Sequence, residues 1–146
     1  MKTIVTLDIK LSGWRKDANS WSTRIEVLAD TTLSELHYTI QRLVDFDDDH
    51  LHEFFVGRNR RDRKLTFGEP ASPLNINDGE EAPLSSVFPI PKGYKLYYHF
   101  DFGDDWLFEI TCRPNTKQAD RKTKYPSLVQ EKGRRPKQYE GEDDEG

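Results

Sequence analysis

Two histidines of the sequence stand two residues apart, at His50 and His52. On a strand this spacing turns both side chains to the same face. Together with His99 or an aspartate they could hold zinc, for which imidazole and carboxylate are ordinary ligands. The simpler interpretation is that one histidine is partly buried with a hydrogen bond and the other is solvated. No third ligand stands at a recognised spacing, so we predict no metal site and no cofactor.

An aspartate cluster at Asp101, Asp104 and Asp105 is the second candidate for ion binding. Carboxylate oxygens are the ligands that hard divalent cations prefer. A hairpin turn would use the same residues, because aspartates hydrogen-bond local amides and Gly103 permits a positive φ. The turn explains the cluster without a further assumption, and we favour it over a cation site.

Basic and aromatic side chains form the third candidate, a surface for nucleic acid. Arginines contact phosphates, and rings on the polar face of a strand stack on bases. A basic stretch at 113–137 adds to this, but the residues 140–146 after it are acidic and the net charge is −4. Solvated loops in an acidic protein are therefore the competing interpretation. The candidate residues are Arg58, Arg60, Arg61, Tyr97 and His99.

Sequence signatures of the common catalytic sites are absent. The chain contains no G-x-S-x-G, P-loop, H-E-x-x-H or cysteine–histidine signature. Residues 101–103 spell D-F-G, as in kinases, but neither the kinase lysine strand nor the H-R-D loop accompanies them. The sequence thus argues against an enzyme and provides no catalytic residue. A metal-dependent enzyme is the least favoured class.

The alternation of apolar and polar residues predicts the elements that position these side chains. Residues 3–11 and 21–27 alternate on either side of a turn-rich stretch, which is typical of a β-hairpin. Thr32 and Glu35 fit a capping box, and apolar residues then recur at helical spacing over 33–44. We therefore predict an amphipathic helix there.

In the second half of the chain the pattern predicts a strand over 50–56 and a hairpin over 94–112. The segment 57–92 between them is a long, irregular connection, within which we expect a strand at 65–67 and a short helix at 84–88. His37 falls on the apolar face of the first helix, where a hydrogen-bonded core histidine is commoner than a ligand. The predicted core comprises Val5, Leu7, Ile25, Val27, Leu36, Ile40, Tyr98, Phe100, Trp106 and Phe108.

This order of elements predicts an α+β protein of the β-grasp (ubiquitin-like) type. Two hairpins and a central strand would form a mixed sheet, packed on the one amphipathic helix. A length of 146 residues suits one domain over 1–131, with a disordered charged tail over 132–146. Cys112 is the single cysteine, the alternating first residues are unlike a signal peptide, and no apolar run approaches a membrane span. We expect a cytoplasmic protein without a membrane partner.

Several motifs occur together in one order along the chain. Residues 98–106 read Y-H-F-D-F-G-D-D-W, residues 33–41 fit L-x-x-L-H-x-x-I-Q, and residues 50–54 read H-L-H-E-F. The segments L-S-G-W-R at 11–15 and Y-P at 125–126 accompany them. In these features the chain resembles the plasmid pRiA4b ORF-3-like family. Phe108 departs from the W-x-H pattern of many relatives, and their P-P-E-D-x-G-G ending is absent.

The resemblance implies a largely uncharacterised family with no established catalytic residue to carry over. Some members carry a resolvase label or occur beside mobile elements, which supports a nucleic-acid-associated accessory protein as the alternative. The departure at Phe108 implies that this chain lacks part of any polar chemistry its relatives perform. The favoured hypothesis is a non-catalytic interaction module for a protein partner that the sequence does not identify.

Overall fold

A computed structural model describes residues 2–12, 21–68, 79–101 and 106–136 of the chain. Asp104 and Asp105 lie outside the described residues, as does the tail beyond 136. Among the described helices none has the length and apolar character needed to cross a bilayer. The elements are β1 (Thr3–Ser12), β2 (Trp21–Leu28), α1 (Leu33–Val44), β3 (His52–Gly57), β4 (Leu65–Gly68), α2 (Leu84–Val87), β5 (Lys95–Phe100), β6 (Trp106–Cys112), β7 (Lys117–Gln118) and β8 (Ser127–Gly133).

The strands form one sheet in the order β4-β3-β5-β6-β1-β2-β8, with β7 paired to one end of β1. Every pairing between the described strands is antiparallel. The α+β class is confirmed, but the predicted mixed sheet is wrong and the β-grasp assignment is not confirmed. Alternation fixes which face of a strand is buried, whereas the neighbour and its direction depend on pairing elsewhere in the chain.

Helix α1 follows the sequence prediction closely. The Thr32 side chain accepts a hydrogen bond from the Glu35 amide at 3.1 Å, and the Glu35 carboxylate accepts one from the Thr32 amide at 2.9 Å. This reciprocal pair satisfies two donors that the first turn leaves without partners. The helix ends at Val44, and the C-cap residue Asp45 adopts a left-handed conformation with φ 59°.

The core lies between α1 and one face of the sheet. All ten residues of the predicted core belong to a single buried cluster, so that prediction is confirmed. Trp106 is 1% exposed, and its ring packs against Phe46 with centroids 5.0 Å apart. The Trp106 ring thus lies against the segment that follows the helix.

The connection between β3 and β5 contains more structure than an irregular segment. Strand β4 and helix α2 lie close to their predicted positions, and one 3-10 turn at Gly79–Glu81 precedes α2. Strand β3 begins at His52, so His50 precedes the strand. Strands β7 and β8 were not predicted, and β8 continues to Gly133, beyond the position where the tail was expected to begin. The domain limits stay a prediction.

Candidate functional site

Four residues form a closed ring of hydrogen bonds between α1 and the sheet, one of them through both its side chain and its backbone amide. Gln41 Nε2 donates to the Tyr98 hydroxyl at 2.9 Å, and that hydroxyl lies 2.5 Å from His37 Nδ1. His37 Nε2 lies 2.8 Å from Asp48 Oδ1, and the Asp48 amide donates to Gln41 Oε1 at 3.0 Å. The ring therefore joins the helix, strand β5 and the loop that follows the helix.

The partners fix the direction of each hydrogen bond in this ring. An ionised carboxylate only accepts, so His37 carries its proton on Nε2 and donates it to Asp48. His37 Nδ1 is then an acceptor, and the Tyr98 hydroxyl donates to it. Tyr98 receives the bond from Gln41 in return. A second proton, on His37 Nδ1, would take the place of the hydrogen that Tyr98 donates and leave that buried hydroxyl without its acceptor, so the geometry favours neutral His37.

A second histidine–carboxylate pair covers this ring. His52 stacks on His37 with ring centroids 3.6 Å apart and planes 9° apart, and His52 Nε2 lies 2.7 Å from Glu80 Oε1. Burial lowers the pKa of His37, and the charge that His52 can carry lowers it further, against the smaller opposing effect of Asp48. Stacked rings and burial therefore both favour the neutral form that the hydrogen bonds need.

The ring holds the helix on the sheet and is poorly suited to acid–base chemistry. Tyr98 is fully buried, and burial raises the pKa of its phenol far above the ordinary value. Its hydroxyl already has both a donor and an acceptor partner. Catalysis needs a group that can reach a substrate, whereas Tyr98 and His37 are occupied by each other. We interpret the ring as a structural network.

The histidines considered as zinc ligands are not brought to one place. His52 lies opposite Phe100 and Glu53 lies opposite His99 in the β3–β5 register, so His52 and His99 project from opposite faces of the sheet. His50 instead lies beside Asp101, with Nε2 and Oδ2 3.4 Å apart. Within the described ranges no three histidine, cysteine or acidic side chains form a group that could hold a metal ion.

Tyr97 and His99 lie on the sheet face away from the helix, but they are buried at 3% and 7% exposure. Tyr97 stacks on Phe55 with centroids 5.0 Å apart, and the Arg63 guanidinium covers Phe55 at 4.2 Å. Burial opposes ionisation of Glu53, but hydrogen bonds from His99 and Arg63 outweigh it and lower its pKa. Tyr97 and His99 therefore offer no open ring face to bases in this arrangement, and their role in binding stays a prediction.

The basic cluster lies in the turn between β3 and β4. Arg58 Nε pairs with Asp62 Oδ2 at 3.2 Å, and the backbone amide and then the guanidinium of Arg58 lower the pKa of Asp62. Glycine is required at Gly57, because a Cβ there would lie 1.7 Å from the Asp62 carbonyl oxygen. No ion pair with another described residue engages the side chains of Arg60 and Arg61.

One edge of the sheet carries an exposed apolar side chain close in sequence to a surface groove. Strand β8 is the outermost strand, and its Leu128 lies opposite Ile25 of β2, whose side chain points into the core beneath α1. Leu128 therefore faces the helix side of the sheet while remaining 49% exposed. Beside it, a groove of about 300 Å³ lies between α1 and the chain leading into β8, with Tyr38 and Tyr125 among its lining residues.

The fold and these surfaces define an antiparallel α+β protein with a structural histidine network and an exposed sheet edge. A family model for plasmid pRiA4b ORF-3-like proteins matches residues 3–143, and the chain belongs to that family. Among solved structures it is similar to a protein of unknown function, MM3350 from Methanosarcina mazei Go1, with a TM-score of 0.69 and 23% identity. That match covers 90% of this chain and 70% of the other, and it shows a shared fold. Comparison with curated proteins gives no match.

Sequence reasoning identified His37 but missed three other members of the hydrogen-bonded network, Gln41, Asp48 and Glu80. Gln41 follows His37 by one helical turn on the same buried face, and two polar residues at this spacing on an apolar stripe were an available signal. Asp48 and Glu80 had no comparable signal, because each reaches the network through a loop or turn whose path depends on the whole fold.

Proposed function

We propose that this protein is a non-catalytic interaction module that binds an extended peptide segment of a partner protein along the edge of β8. The observation that carries the proposal is the open edge of β8 beside the groove lined by Tyr38 and Tyr125. The coarser description, a member of a family of uncharacterised proteins, follows from the family match.

The edge supplies main-chain hydrogen-bonding groups for such a peptide. On one side β8 pairs with β2, and no strand among the described residues pairs with its other side. An edge strand presents unpaired N–H and C=O groups that an added strand can use. The register shift opposite Arg24 and Ile25 leaves Val129 as an extra residue in β8, which divides the edge into two short pairing segments.

The groove supplies a place for a side chain of the peptide. Successive side chains of an added strand point to opposite faces, so every second one would face the helix side. Leu128 and Tyr38 are each 49% exposed there, and Val27 lines the groove. Glu35 and Arg42 also line it. This arrangement favours a peptide with a large apolar residue flanked by polar ones.

A peptide selection tests the proposal and does not require the partner to be identified first. Peptides selected from a random library should bind with apolar residues at alternate positions and should protect amides of Ser127–Gly133 from hydrogen exchange. The substitution Leu128→Asp should weaken binding of a selected peptide by about tenfold or more, because it places a charge in an apolar contact.

The matched control is Leu51→Asp, which changes a more exposed leucine that lies outside β8. It should leave the affinity unchanged. Selected peptides that bind Leu128→Asp as tightly as the wild type, or that protect other strands instead, would refute the proposed edge.

The alternative of nucleic-acid association has less support from the described residues. Arg58 and Arg63 are each paired with a carboxylate, and the two aromatic residues chosen for base stacking are buried. We also infer a cytoplasmic location, because the one cysteine, Cys112, has a free thiol and disulfides are characteristic of exported proteins.

A further inference from the structure

A second apolar concavity lies where the C-terminal end of β6 meets the N-terminal half of β1. Its lining includes Val5, Ile110 and Cys112 from the strands and Phe88 and Ile90 from the segment after α2. The cleft has a volume of about 680 Å³, within the range of roughly 300–1,000 Å³ that small-molecule sites occupy. It is separate from the groove beside β8, with which it shares none of the described lining residues.

Backbone hydrogen bonds hold one wall of the cleft in place. The Leu84 amide donates to Thr31 O at 2.8 Å and the Ser85 amide to Ala29 O at 3.0 Å. The Phe88 amide closes the short helix on Leu84 O at 2.9 Å. Because these bonds fix the wall against the end of β2, a ligand would not have to order it on binding, which favours affinity.

The charges around the cleft are already neutralised. Lys95 and Arg113 line it, whereas no carboxylate of the described part of the chain does. Lys95 Nζ pairs with Glu109 at 2.8 Å, and Arg113 Nε pairs with Asp8 at 3.0 Å. A charged ligand group buried in the cleft would meet basic side chains whose charges are already balanced by carboxylates, and a buried charge without a compensating charge is costly. The polar side chains left to a ligand are hydroxyls, among them Ser85 and Thr116.

We propose that this cleft binds an uncharged small molecule with an apolar or aromatic body. The apolar floor formed by Val5, Ile110 and Cys112 would cover that body. The inference is independent of the peptide-binding edge, because the two surfaces are lined by different residues, and either can fail without the other.

Cys112 allows a test on the native chain, since it is the only cysteine. Neutral N-phenyl-1-naphthylamine should bind at one equivalent with a rise in fluorescence. The aromatic sulfonate 1-anilinonaphthalene-8-sulfonate, of similar size, should bind about tenfold more weakly, because burying its charge beside basic groups that carboxylates already neutralise is costly. Modifying Cys112 with benzyl methanethiosulfonate should fill the floor and lower the affinity for the neutral dye by about tenfold or more.

Burial raises the pKa of the Cys112 thiol, so the modification is carried out at alkaline pH. If the thiol does not react, the substitution Cys112→Phe fills the floor of the cleft by mutation. Circular dichroism checks that each form is folded, and Lys124→Trp, which adds a bulky ring at a residue that does not line the cleft, is the control. Failure of the neutral dye to bind the wild type overturns the proposal. Undiminished binding of the neutral dye to the Cys112-modified protein or to Cys112→Phe also overturns it. Tighter binding of the sulfonate than of the neutral dye overturns the assigned ligand class.

Discussion

The substitution Tyr98→Phe removes one oxygen from the closed ring and little else. The hydroxyl accepts from Gln41 Nε2 and donates to His37 Nδ1, so its loss leaves a donor and an acceptor without that partner in a buried place. Each such group costs about 1–3 kcal/mol. The ring relaxes in part, and effects within one network are not additive. We expect the free energy of unfolding to fall by about 2–3 kcal/mol.

Urea unfolding followed by tryptophan fluorescence measures this change, and an unchanged m-value shows that the folded and unfolded states keep their compactness. The neighbouring Tyr97→Phe is the matched control. Its hydroxyl has no hydrogen-bond partner among the described residues, so the change should stay within about 0.5 kcal/mol.

A double-mutant cycle separates the network from simple packing. Gln41→Met should cost less in the Tyr98→Phe background than in the wild type, because the Gln41 amide has already lost its partner there. If Tyr98→Phe proves as stable as Tyr97→Phe, or if Gln41→Met costs the same in both backgrounds, the ring contributes no stability and the reasoning is refuted.

Two further predictions concern the core and the pH dependence. Trp106→Ala removes a ring that is 1% exposed and should lower the unfolding free energy by about 3–5 kcal/mol in the same urea assay, and a loss below about 1 kcal/mol would contradict the assigned burial. Because burial, and to a lesser extent His52, lowers the pKa of His37 in the folded state, the unfolded chain takes up a proton first as the pH falls. The stability from neutral His37 should therefore be complete above about pH 6.5 and decline on acidification toward the folded pKa. His37→Asn should show a weaker decline between about pH 7.5 and 5.5, and an equal decline in both proteins would exclude His37 as the titrating group.

The sequence alone determined the elements whose signals are local. The capping residues Thr32 and Glu35 and the helical spacing that follows them lie within one short segment, so α1 was predicted with its correct limits. The alternating residues of β1, β2, β5 and β6 identified the buried faces of the strands, and the helical spacing added Leu36 and Ile40 to complete the predicted core. These features depend on neighbours a few positions away, where backbone geometry alone sets which side chains share a face.

Only the tertiary structure decided which strands are neighbours and which polar groups meet. The antiparallel β1–β6 pair joins residues about a hundred positions apart, as with Ile9 and Ile110, and alternation carries no record of strand direction. The apolar residues of β8, Leu128 and Val129, are adjacent in the sequence and both exposed. The strand therefore lacks the alternation of apolar and polar residues by which a half-buried strand is recognised. The ring of His37, Gln41, Asp48 and Tyr98 closes only when helix, loop and sheet are assembled, because each hydrogen bond needs two atoms placed to within a few tenths of an ångström.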